Sequence, residues 1–144
     1  EGKGHVVVQQ DSPSTRIFSV RLGAEAPLMN TCSGHLLLAY SSPEKRELML
    51  NRIPKNHPKP NQIAFKSILE KVEKQGFENI ISAQTQGVED IGYPIFDDTG
   101  QIAAALVVPF IGFLDGSHSV DGNLAHEKIK ATAEEMSRLL GYEA

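Results

Sequence analysis

Near the start of the chain Val6, Val7 and Val8 fall together within residues 5–10, a β-branched run that predicts a strand. A polar turn, Asp11-Ser12-Pro13-Ser14, separates it from residues 17–22. There Phe18, Val20 and Leu22 repeat at a period of two, so one face is expected to be buried and the two runs to pair as a hairpin. Gly23 and Pro27 break the pattern.

From Thr31 the spacing turns helical. Thr31-Cys32-Ser33-Gly34-His35-Leu36-Leu37-Leu38-Ala39-Tyr40 predicts a short helix with a buried face. Ser42-Pro43-Glu44 opens a second helix with a hydroxyl cap, a first-turn proline and an early acid, and it should run to about Arg52. Residues 54–60 hold three prolines and read as a loop. Asn61 caps a third helix in which Ile63, Phe65, Ile68, Leu69 and Val72 form a broad apolar stripe, and Gly76 ends it.

Residues 80–84 and 91–96 then read as strands, and Asp97-Asp98-Thr99-Gly100 is a strong hairpin signal. The partner strand, residues 101–109, is rich in Ala, Leu and Val and is expected at the centre of the sheet. A Gly- and Asp-bearing loop covers residues 112–122. The last helix places Ala125, Ile129, Ala133, Met136 and Leu140 three or four apart and stops at Gly141. Strands joined by short turns with helices inserted between them predict an α+β fold whose sheet is mainly antiparallel and flanked by helices.

A length of 144 residues suits one domain, residues 1–144, with no repeat or linker to divide it. The net charge is −4 and Lys and Arg are nowhere dense, which disfavours nucleic-acid binding by this segment alone, since phosphate affinity comes from clustered cations. No apolar run is long enough for a membrane span, so no membrane partner is expected. The single cysteine, Cys32, excludes an internal disulfide framework and fits a cytoplasmic setting.

Three segments in order carry a family resemblance: Arg21 to Gly34 followed by Leu37-Leu38-Ala39; Gly87-Val88-Glu89-Asp90-Ile91-Gly92-Tyr93-Pro94-Ile95-Phe96-Asp97-Asp98-Thr99-Gly100; and Met136-Ser137-Arg138-Leu139-Leu140-Gly141. Their order and spacing resemble the effector-binding domain of IclR-type bacterial transcription regulators, from about Val6 to Gly141. The resemblance implies a GAF-like or profilin-like sheet with a small-molecule pocket on its concave face. It also implies an N-terminal winged helix-turn-helix, absent from this chain, through which alone DNA is contacted, and assembly as a homodimer or homotetramer. Three positions depart from relatives that bind small carboxylates. Asp90 stands where the hairpin motif often has Cys, and Val107 and Pro109 stand where serines are placed on the last strand. These departures argue against a glyoxylate- or pyruvate-like acid and for a less polar or aromatic effector.

The expected ligand contacts are Met29, Asn30, Thr31, Cys32 and Ser33 at a helix N-terminus, with Asp90, Ile91, Val107 and Pro109 on the hairpin. Free N–H groups at a helix start can meet an anionic or carbonyl group. Thr31 or Ser33 could equally be a plain cap. Asp90 could accept from ligand hydroxyls or amines, or be a solvated strand-end carboxylate. Val107 and Pro109 would form an apolar wall, although Val107 on its own reads as core.

Cys32 and His35, three apart, suggest a nucleophile and base, but no oriented acid or oxyanion motif accompanies them, and Cys often serves as a small buried residue. Five histidines are scattered; Asp115, His118, Asp121 and His126 could ligate a divalent metal, yet no compact zinc spacing occurs. No enzyme, cofactor or metal is therefore expected. The function expected is that of an effector-sensing domain that modulates DNA binding by the full-length regulator, with a stand-alone GAF-like sensor module or a Cys32/His35 enzyme as alternatives.

Overall fold

Along one strand Ile91, Tyr93 and Ile95 alternate with Asp90, Gly92 and Pro94, and this alternation divides the molecule into two cores. The computed structural model describes residues 2–14, 17–57, 59–112 and 121–144. In chain order the elements are β1 (Lys3–His5), β2 (Glu25–Pro27), α1 (Cys32–Ala39), α2 (Pro43–Asn51), α3 (Gln62–Gln75), β3 (Glu78–Ile81), β4 (Glu89–Phe96), β5 (Ile102–Phe110) and α4 (Gly122–Leu139). One antiparallel sheet has the order β3-β4-β5 and a second is the ribbon β1-β2, which is the α+β architecture expected.

The larger sheet is covered on both faces. Ile91, Tyr93 and Ile95 meet Ala125, Ile129 and Ala133 of α4 on one side. On the other, Cys32, Leu36 and Leu38 of α1 form a core with Phe65, Leu69 and Val72 of α3, with Ile80, Ala105 and Val107 of the sheet packed against it. The α4 helix is amphipathic and needs only one covered stripe. The α1 helix carries apolar side chains nearly all round and is enclosed between α3 and the sheet, as such a helix must be.

Side chains close the ends of these elements. Thr31, Ser42, Asn61 and Asp121 each accept backbone N–H groups at a helix start. At the other end of α1 the Arg46 guanidinium donates to the carbonyls of Leu38 (2.7 Å) and Ala39 (2.9 Å), a cation on the negative end of the helix. Ser137 Oγ accepts the Phe96 N–H at 3.0 Å, where the β4–β5 register slips between Ile95 and Phe96. No helix among the described residues is long and apolar enough to cross a membrane.

The structure corrects several sequence expectations. The valine run is not the first strand: β1 is Lys3–His5 and pairs with Glu25–Pro27, which the Gly23 and Pro27 breaks had argued against. Val7 and Val8 are 75% and 76% exposed, and Ile17, Phe18, Val20 and Leu22 are exposed as well. The physical reason is that β-propensity is realised only where a pleated face finds a cover. Beyond the ribbon, the described backbone pairing here amounts to Val6 N–H to Ala24 O and Gly23 N–H to Val6 O. Ile63, placed in the α3 stripe, is 83% exposed: it stands in the first turn of α3, before Phe65, the first buried residue of the helix. Strand β3 starts at Glu78, not residue 80. Strand β4, not β5, is central. Most of the loop expected at residues 112–122 lies outside the described residues.

Candidate functional site

The N-terminus of α1 is seated deeply. Thr31 Oγ1 accepts the Gly34 N–H at 3.0 Å and donates to the carbonyl of Pro27, so the cap also fixes the preceding segment. A Cβ at Gly34 would lie 2.1 Å from Leu28 O, so the residues before the helix fold back against its first turn through the space a side chain would take. Thr31 satisfies Gly34. The N–H groups of Cys32 and Ser33 find no acceptor among the described residues, which leaves the donor end of a helix open.

Opposite this end lies the α1-facing side of the sheet. Gly92 is its closest approach: a Cβ there would come within 2.6 Å of Cys32 Sγ and 2.7 Å of Leu36 Cδ1. Register pairs Gly92 with Val107 and Asp90 with Pro109, so strand alternation puts Asp90, Val107 and Pro109 on this same face. Asp90 is half-buried, and its carboxylate has no side-chain partner among the described residues. Burial raises its pKa above the ordinary 3.8.

That shift has a testable sign. A group that holds its proton more tightly folded than unfolded contributes stability fully below the unfolded value, and the contribution is lost as pH rises through the folded value. Near neutral pH the ionised Asp90 therefore costs stability. Asp90→Asn is expected to melt at a higher temperature than the wild type near neutral pH, with the gain shrinking as pH falls towards 3.8, the unperturbed value. Thermal melts across that range check it; an Asn variant less stable at neutral pH would mean that the carboxylate has a partner.

The residues expected to bind ligand do not all converge. Thr31, Cys32 and Ser33 stand at the helix end, and Asp90, Val107 and Pro109 on the facing sheet. Ile91 is corrected: alternation turns it to the opposite face, where it is buried under α4. Met29 and Asn30 border a neighbouring cleft of about 420 Å³, which also takes in Lys3, Glu25, His57 and Gln84.

The Cys32/His35 pairing does not form a nucleophile and base. Cys32 is 1% exposed, and burial foremost, then the charges of Glu78 and Asp90, push its thiol pKa upward, away from thiolate. His35 is occupied at both nitrogens, by Glu78 Oε2 at 2.6 Å and by the Met29 carbonyl at 2.9 Å. The pair ties α1 to β3 and to the segment that enters the helix. Glu78 was not singled out from sequence; the available signal was a histidine on a helix otherwise apolar all round, which requires a buried partner.

Among the candidate metal ligands, Asp115 and His118 lie outside the described residues. Asp121 caps α4, and His126 donates from Nε2 to Asn79 Oδ1 (3.2 Å) while accepting the Tyr93 hydroxyl at Nδ1 (3.0 Å). Among the described residues no group of three His, Cys, Asp or Glu is placed to hold a metal.

Comparison with known proteins places the chain. The profile of the family described as bacterial transcriptional regulator IclR C-terminal matches residues 1–138. The HTH-type transcriptional regulator KdgR of Escherichia coli (strain K12) is 28% identical over 99 residues, 66% of this chain and 37% of that protein. Among solved structures, Pseudomonas aeruginosa HmgR superposes with a TM-score of 0.81 at 22% identity, over 100% of this chain and 58% of that one. The C-terminal domain of the E. coli transcriptional regulator KdgR gives 0.67 at 22% identity, over 88% of this chain and 81% of that one. At such identities the structural likeness establishes the fold. The chain spans little over a third of the KdgR protein and somewhat over half of HmgR.

Proposed function

The chain belongs to the family of bacterial IclR transcriptional regulator C-terminal domains, and from that premise we propose that it senses a small metabolite held between the start of α1 and Asp90. The family is one of transcription regulators and not of enzymes, and its C-terminal domain implies an effector ligand. One observation supports this location above the others. The Asp90 carboxylate, half-buried and without a side-chain partner among the described residues, stands on the sheet face that meets the start of α1, two residues along the strand from Gly92, against which Cys32 packs. A destabilising acid kept beside unfilled donors is what a binding site, not a core, retains.

The arrangement selects by chemistry. The helix end offers donors to a carboxylate or carbonyl, Asp90 accepts from a hydroxyl or amine, and Val107 and Pro109 supply apolar wall. A largely apolar or aromatic compound with an acceptor at one point and a donor at another fits these groups better than a small keto acid does. By binding one arrangement of a cytoplasmic dimer or tetramer more tightly than another, such an effector shifts their populations. DNA affinity then changes through a winged helix-turn-helix that lies outside these 144 residues.

The test is a thermal-shift screen against aromatic acids, sugar acids and small keto acids. A ligand at roughly one hundred times its Kd stabilises the folded state by about 2.7 kcal/mol. The expected hit is an aromatic or weakly polar acid whose saturable shift is lost in Asp90→Ala and which alters operator affinity of the full-length regulator. Operator affinity unmoved by any compound that binds the domain would count against the proposal.

A further inference from the structure

We propose that the groove between α2 and α3 is a second ligand site, distinct from the sheet-face site, which accepts a small organic carboxylate with an aromatic or branched apolar body. The groove encloses about 460 Å³, within the roughly 300–1,000 Å³ usual for small-molecule sites. Its floor is apolar, formed by Met29, Leu50, Phe65 and Leu69. Its rim carries Arg46, Lys59 and Lys66 against the one carboxylate of Glu47, although the whole chain is negative. An apolar floor under a cationic rim favours an amphiphilic anion over a neutral ligand or a cation.

Two of these cations are only partly committed elsewhere. Arg46 uses Nε and Nη2 on the carbonyls that end α1, which leaves Nη1 without a partner among the described residues. Lys66 approaches Glu70 at 3.8 Å, a loose pair at the surface that competes weakly. The groove also touches the support of α1. Met29 gives its carbonyl to His35 Nε2 at 2.9 Å, and the Phe65 ring meets the His35 ring edge-on at 6.0 Å between centroids. A ligand on Met29 and Phe65 therefore bears on the residues that hold α1 against the sheet, so its occupancy is coupled to the geometry of the sheet-face site.

Amide NMR of the chain during titration with cinnamate, and with its neutral amide cinnamamide, tests this. The expected result is saturable shifts in α2 and α3, with cinnamamide and the Lys59→Glu/Lys66→Glu variant each weaker by roughly tenfold. Both lysines are exposed, so the variant should keep its melting temperature. Asp90→Asn should leave cinnamate binding in this groove unchanged. Shifts confined to the start of α1 and the facing strands, equal binding of acid and amide, or an unaffected lysine variant would each overturn the proposal. The first of these outcomes would leave the sheet-face site standing alone.

Discussion

Gly34→Ala is expected to destabilise the domain by about 3 kcal/mol or more, at the upper end of overpacking effects, because the added atom meets backbone and not a movable side chain. Its Cβ would lie 2.1 Å from the carbonyl oxygen of Leu28 and 2.5 Å from both Leu28 C and Cα. The clash is relieved only if the start of α1 lifts from the segment that precedes it. In a chain of this size the change corresponds to a fall in melting temperature of about 10 °C. The same displacement would carry the Cys32 and Ser33 N–H groups away from Asp90, so any ligand response should disappear even where the variant still folds. Gly122→Ala is the matched control, since nothing among the described residues lies within 4 Å of a Cβ there. Equal melting temperatures for the two variants would show that the turn at Leu28 is not fixed as described.

The second large effect is expected at the His35–Glu78 pair. Both side chains are almost fully enclosed, 7% and 4% exposed. The Met29 carbonyl can only accept, so His35 Nε2 carries a proton. The Nδ1–Glu78 contact then shares one further proton, whether the pair is imidazolium with carboxylate or neutral ring with carboxylic acid. His35 Nδ1 and Glu78 Oε2 have no other partner among the described residues, so each is left unsatisfied without the other. Glu78→Leu, which removes the acid and leaves the ring nitrogen facing apolar surroundings, should cost about 3–5 kcal/mol in urea unfolding. The double variant Glu78→Leu/His35→Leu should recover part of that loss, since replacing both members of a buried pair by apolar groups costs far less than orphaning one. Additive losses in the double variant would show that the two residues act independently.

Much of this arrangement was legible in the sequence because it rests on local chemistry. Thr31, Ser42 and Asn61 cap as short polar side chains do, and Asp97-Asp98-Thr99-Gly100 makes its turn through Asp97 Oδ1, which accepts from Thr99 and Gln101. The alternation in β4 separates Asp90 from Ile91, although the pairing of Ile91 with the ligand site ignored it. What could not be read was decided by partners distant in sequence. Glu78 became significant only once α1 was laid across β3, and Gly92 only once Cys32 and Leu36 were seen to fill its missing side chain. The alternating apolar residues at 17–22 carried a strand signal but no statement of which face would cover them, and the described structure leaves them exposed.

The proposed site was half visible. Helix-start residues and the hairpin aspartate came from the motif resemblance, and the fold brings Thr31–Ser33, Asp90, Val107 and Pro109 to one side of the sheet. Met29 and Asn30 border the adjacent cleft, and Met29 also lines the groove between α2 and α3.

The most direct measurement is a crystal structure of the chain with the compound that gives the largest saturable thermal shift. The account predicts an acceptor group of that compound at the N–H groups of Cys32 and Ser33, a donor against the Asp90 carboxylate, and its apolar part on Val107 and Pro109. A compound bound elsewhere, with the space between Asp90 and the start of α1 empty, would contradict it.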